Sequence, residues 1–152
     1  VQAKEICRIH RASNNRQTMQ YLLDTNVCID ALRGFSSIVA QLQQMSPDDL
    51  AVSTVSRYEL LVGARKCQRP EREMTRVEEF LSLLHELVFT RSAAQRASQV
   101  RAELERAGMS MGPYDILLAG QALDAQLTLV TANVREFGRV GELRCENWHK
   151  KA

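Results

Sequence analysis

Asp24, Glu59, Asp115 and Glu136 are the residues of this chain whose types and placement best suit chemistry. An unpaired charge beside apolar residues is costly, so an acid kept there needs a partner or a metal. Tyr21-Leu22-Leu23 is a short apolar run that stops abruptly in Asp24, Thr25 and Asn26. It reads as a buried strand whose carboxyl end opens into a polar site. α/β sheets place their ligands at that end of their strands. A second apolar run, residues 128–131, ends the same way in Thr131-Ala132-Asn133, with Glu136 in the turn beyond. Carboxylates brought together repel and raise one another's pKa. A divalent cation relieves the repulsion, and an all-oxygen donor set selects Mg²⁺ or Mn²⁺. Such an ion keeps several waters, bridges to phosphate, and makes a water acidic enough to attack a phosphodiester in line.

Three of these acids, Asp24, Glu59 and Asp115, also have a plain structural reading. Asp24 could cap the helix that follows it. Glu59 has Val55, Ser56, Val62 and Gly63 as its helical neighbours, away from Arg57 and Arg65, and could reach water from the edge of that stripe. Asp115 follows Gly112-Pro113-Tyr114 and could be an acid favoured by the helix dipole. The uniformly apolar residues 116–119 after it, and small Ala119 and Ala122 on its face, argue for room for another backbone or an ion.

The elements that must position these residues alternate. Short helices are expected over residues 27–32, closing near Gly34, and 37–44, capped by Ser36; residues 46–49 form a turn. A second strand spans 50–53, with Ser53-Thr54 capping a helix to about residue 65. Pro70 opens a long helix over 71–85, a third strand follows at 87–89, and a further helix spans 92–107 up to Gly108. These two helices are candidates for a hairpin arm used in dimerisation. Residues 143–145 form a last edge strand, and Trp148 anchors the tail. Strand–helix alternation implies a three-layer α/β/α fold with a central, mostly parallel sheet and right-handed crossovers.

Composition narrows the function. At 152 residues the chain is one domain, 45% hydrophobic and 25% charged. Its net charge of +2 is concentrated in residues 1–18, where Lys4, Arg8, Arg11 and Arg16 face only Glu5; the remainder is slightly acidic. Bulk charge therefore does not make the body a nucleic-acid binder, and binding must come from local arginines or bound cations. Cys7, Cys28, Cys67 and Cys145 have neither C-x-x-C spacing nor a histidine beside them, which argues against a zinc site and suits a reduced, cytoplasmic setting. There is no membrane span and no secretory signal. His10, His85 and His149 are scattered, and neither a G-x-S-x-G elbow nor a phosphate-cradling glycine loop is present. Met19 looks like a natural start, so residues 1–18 read as an extension outside the fold and 19–152 as the domain.

Four segments, in order, resemble the motifs of PIN-domain ribonucleases, with a spacing similar to VapC-type toxins of bacterial toxin–antitoxin pairs. They are Leu23-Asp24-Thr25-Asn26, Tyr58-Glu59-Leu60 with Gly63-Ala64, Gly112-Pro113-Tyr114-Asp115, and Val130-Thr131-Ala132-Asn133 with Arg135-Glu136-Phe137. The resemblance covers residues 19–148. It implies a compact PIN-like α/β/α fold, Mg²⁺- or Mn²⁺-dependent endonuclease action on RNA, a homodimer, and a small VapB-type antitoxin as inhibitor. Carried over by position, Asp24 and Asp115 are the principal metal ligands and Glu59 the third acid. Thr25, Asn26 and Thr131 orient ligands or water. Many relatives carry Asp where this chain has Asn133, so Glu136 is expected to supply the fourth acid through water. The alternatives are a PIN-like module that binds RNA or protein without cutting, and an Asp-nucleophile phosphatase. The intact acids argue against the first, and Asn26, where a second Asp is needed, against the second.

Overall fold

The structure is a computed structural model, described here for residues 19–149; the extension read from residues 1–18 lies outside the described residues. A sheet of five parallel strands forms the middle layer: β1 (Tyr21–Leu23), β2 (Leu50–Ser53), β3 (His85–Leu87), β4 (Thr128–Val130) and β5 (Cys145–Glu146). Their order is β3-β2-β1-β4-β5. The chain winds outward from β1 to β3, then returns to the other side of β1 to add β4 and β5. The order reverses between β1 and β4, and a crevice at the carboxyl ends of the strands opens at such a switch point.

Among the described residues, seven α-helices cover the sheet: α1 (Thr25–Leu32), α2 (Ser36–Gln44), α3 (Thr54–Arg65), α4 (Pro70–Leu81), α5 (Arg91–Arg106), α6 (Pro113–Asp124) and α7 (Val134–Phe137). Side chains alternate across a strand, and the register makes the alternation coherent. Leu23 pairs with Val52 and Val130, and all three face α1–α4. Leu22 pairs with Ala51 and Leu129, and these face α5–α7. Phe80 and Ile38 fill the first core, Phe137 and Leu104 the second.

Close packing of α5 on α6 explains Gly120, one of the small residues after Asp115. A Cβ on Gly120 would lie 2.4 Å from the Cα of Ala97, so only glycine permits this approach. This contact lies on a different face of α6 from Asp115, Ala119 and Ala122.

Several boundaries differ from the sequence reading. The helix expected over 71–85 ends at Leu81, where Ser82, Leu83 and Leu84 close tight turns onto Glu78, Phe80 and Leu81 carbonyls. The third strand accordingly starts at His85, because His85 and Glu86 pair with Ala51 and Val52. Leu84 continues the helical period of α4, but the open edge of β2 claims the next residues. The two helices do not form an arm: Val77, Phe80 and Leu81 of α4 belong to one core, Val100 and Leu104 of α5 to the other. Ser36 is the first residue of α2, and its cap position is Phe35 with no side-chain bond. Residues 136 and 137 lie in the short helix α7 rather than a turn, strand β4 stops at Val130, and the last strand is shifted to Cys145–Glu146 by its pairing with Leu129 and Val130. Trp148 anchors the tail as expected, with its ring edge-on to Tyr21.

Candidate active site

Asp24 leaves the carboxyl end of β1 at the switch point and is only 4% exposed. Its amide donates to Val130 O of the neighbouring strand at 2.9 Å, which fixes its backbone. Thr131, fully buried at the end of β4, donates its hydroxyl to Asp24 Oδ2 at 2.9 Å and accepts from the Asn133 amide at 3.0 Å. The two polar strand ends recognised in the sequence thus meet directly. Asp24 occupies the cap position of α1 without a side-chain capping hydrogen bond. Burial first of all holds its pKa above the usual carboxylate range; the hydrogen bond from Thr131 and the amides of Thr25 and Asn26 favour the charged form but only partly offset this, and the Glu59 charge adds to the rise. Capping therefore does not account for this acid.

Thr25, the first residue of α1, links Asp24's strand end to α3. Its Oγ1 is hydrogen-bonded to Glu59 Oε1 at 2.7 Å and to Ser56 Oγ at 2.9 Å. A carboxylate only accepts, so the Thr25 proton goes to Glu59. The capped start of α3, where Ser53 Oγ accepts from the Val55 amide at 3.0 Å, sets the helix so that Ser56 and Glu59, one turn apart, point back at α1. Glu59 is thus held by a hydroxyl rather than by an arginine. Ser56 is fully buried and was not assigned a role from sequence. Its signal is its i−3 spacing from Glu59 on the same helix face.

Asp115 enters on the first turn of α6, which Pro113 starts. Its pKa is pushed up to about 6, first by burial and then by the charges of Asp24, Glu136 and Glu59. An acid stabilised mainly by a helix dipole would be shifted the other way. Asp115 therefore feels the charges of the other three acids expected from the sequence. Glu136 is hydrogen-bonded by Asn133 Nδ2 across the start of α7. Asn26 lies exposed on α1; its backbone amide faces Asp24, while its side chain joins none of these hydrogen bonds among the described residues.

None of the four acids takes part in a salt bridge among the described residues. No three His, Cys, Asp or Glu side chains there gather closely enough to hold one ion by themselves. The donor set is all oxygen, charged and partly desolvated. It fits a hard cation that takes few direct protein ligands and keeps water for the rest. Chemically, the arrangement can attract and orient a divalent cation; it offers no activated Ser, Cys or His nucleophile.

A three-layer parallel α/β fold with buried Asp24 at its switch point and Asp115 nearby in its field defines the class of protein. The PIN domain family model matches residues 21–143, and the chain belongs to that family. Among curated relatives, it is 39% identical over 130 residues to the tRNA(fMet)-specific endonuclease VapC of Shigella flexneri, covering 86% of this chain and 98% of that one. It is 34% identical to Ribonuclease VapC2 of Rickettsia felis, covering 87% and 100%. Among solved structures, it resembles the DNA-bound VapBC of Salmonella typhimurium with a TM-score of 0.82 and 37% identity, covering 86% of this chain and 98% of that one. The promoter-DNA-bound VapBC2 of Rickettsia felis gives 0.80 and 32%, covering 86% and 99%.

Proposed function

We propose that this protein is a Mg²⁺- or Mn²⁺-dependent endoribonuclease, the toxin of a toxin–antitoxin pair. The observation that carries the reading is Asp24, buried at the switch point and hydrogen-bonded by Thr131, with Asp115 raised by burial and by the charges of Asp24, Glu136 and Glu59 and none of these four acids in a salt bridge among the described residues. Relatives named endonuclease or ribonuclease VapC, matched over nearly their whole length, support it. Asp24 and Asp115 would hold the ion, with Glu59 and Glu136 acting through water. Bound there, a divalent cation would neutralise charge at the phosphate and make an attacking water more acidic. Thr131 and Thr25 keep the Asp24 and Glu59 carboxylates turned toward the crevice, and Asn133 holds Glu136.

The partners follow from the same reading. The substrate is RNA, and a small VapB-type antitoxin is the inhibitor, since related structures are VapBC complexes. A guanidinium fork matches a carboxylate pair and replaces the cation's charge, which gives such an inhibitor a simple means of blocking the site. The active form is a homodimer in the cytoplasm. No helix of the described residues is long and apolar enough to cross a membrane.

The test is cleavage of RNA by the purified chain with Mg²⁺ or Mn²⁺, with chelator, and with Asp24→Asn. Cleavage that needs the cation and falls at least a hundredfold in the variant is expected, about the loss seen when one electrostatic contact to the reacting group is removed. Equal cleavage by the variant, or in chelator, refutes the reading.

A further inference from the structure

Four large hydrophobic side chains stand exposed among the described residues, and two of them touch each other beside the acidic site. Tyr58 is 53% exposed and Tyr114 41%. Each immediately precedes an acid of the site, Glu59 on α3 and Asp115 on α6. Their ring centroids are 5.7 Å apart with planes at 51°, and the two hydroxyls are 3.5 Å apart. The rings are braced by each other without stacking face to face, so each keeps surface open to solvent. Nothing in the core requires this pair, and contiguous exposed aromatic surface marks a recognition site.

The acids beside it say what that surface is for. A phosphate strand approaching four carboxylates is repelled until a cation intervenes, and the body of the chain carries no excess of positive charge to offset this. Besides local arginines and a bound cation, contacts that do not depend on charge can add grip on the substrate here. An unpaired base offers a π face, and aromatic side chains hold single-stranded RNA in this way, whereas a base paired in an A-form helix is inaccessible to them. Resting on the nuclease reading above, we infer that Tyr58 and Tyr114 form a stacking platform for an unpaired nucleobase next to the scissile phosphate. Tyr58 and Tyr114 are substrate-binding residues by this reading, and the acids remain the catalytic ones.

The test uses the full chain carrying Asp24→Asn, so that no RNA is cut, and a fluorescently labelled unpaired oligoribonucleotide of mixed sequence. Binding is read by anisotropy. Adding Tyr58→Leu or Tyr114→Leu weakens binding roughly tenfold each, the size expected for losing one stacked base. Tyr58→Phe and Tyr114→Phe leave binding close to that of the parent, because the ring is kept. A duplex of the same composition binds more weakly and ignores all four changes. In the chain with Asp24 intact, the Leu variants raise KM and leave kcat nearly unchanged. Unaltered binding by both Leu variants overturns the platform. So does a loss confined to self-association or to binding of a protein inhibitor, which would make the pair a protein contact. If the intact chain cuts no RNA with Mg²⁺ or Mn²⁺, the nuclease reading fails, while the anisotropy measurements still decide whether the tyrosines hold unpaired RNA.

Discussion

Removing the Asp115 charge should stabilise the metal-free protein. Folding raises this carboxyl from 3.8 to about 6 by burial and by the charges of Asp24, Glu136 and Glu59. That shift of about two units corresponds to about 3 kcal/mol as an upper limit. Asp115 is only partly buried, and solvent screening reduces the figure to on the order of 1–2 kcal/mol. The sign follows from proton binding. Between about pH 4 and 6 the folded state holds this proton more tightly than the unfolded state, so stability at this site falls as the pH rises. The full cost is present above about pH 6 and is absent below the unfolded value. Asp115→Asn removes the cost while keeping the side chain's shape. In chelator near neutral pH the variant should melt about 3–6 °C above the parent, given roughly 2–4 °C per kcal/mol for a domain of this size. The difference should shrink as the pH falls toward about 4.5, where the parent carboxyl is largely protonated in the folded state. Mg²⁺ or Mn²⁺ should raise the melting temperature of the parent more than that of the variant. Calorimetric melts at two pH values, with and without metal, make the measurement. A variant that melts lower in chelator at both pH values, and responds to metal as the parent does, would show that Asp115 is a helix-terminal cap.

Other substitutions probe the supports. Thr25→Val deletes the hydroxyl that joins Glu59 and buried Ser56; denaturant melts should show a loss of about 1–2 kcal/mol, cleavage should drop, and Thr25→Ser should restore both. Unchanged cleavage in a folded Thr25→Val chain would remove the positioning role. Gly120→Ala places a Cβ 2.4 Å from the Ala97 Cα, so thermal melts should show a loss of about 3 kcal/mol from overpacking, opposite in sign to the gain Ala gives in an open helix. Wild-type stability in that variant would mean that α5 and α6 are not as close as described. Asp115→Asn and Asp24→Asn should both abolish RNA cleavage while keeping their circular dichroism spectra, and near-parent cleavage by either would remove that residue from the site.

Local sequence determined much of this protein. Apolar runs ending in Asp24-Thr25 and in Thr131-Ala132-Asn133 carry their own signal, because a strand that stops in polar residues has the same meaning wherever it packs. Pro113 after Gly112 fixes the start of α6, and Ser53 caps α3, through short-range hydrogen bonding and sterics that need no distant partner. The strand–helix alternation gave the layers and the parallel sheet. The strand order, the end of α4 and the start of β3 were decided elsewhere: Leu84 fits the helical period equally well, and only the open edge of β2 pulls His85 into the sheet. Nor does local pattern show that Thr131 bonds Asp24 across 107 positions of chain, that Ser56 lies beneath Thr25, or that Tyr58 meets Tyr114. Those contacts join residues on different elements, and they exist because the parallel sheet reverses its winding between β1 and β4 and brings the carboxyl ends of its strands to one crevice.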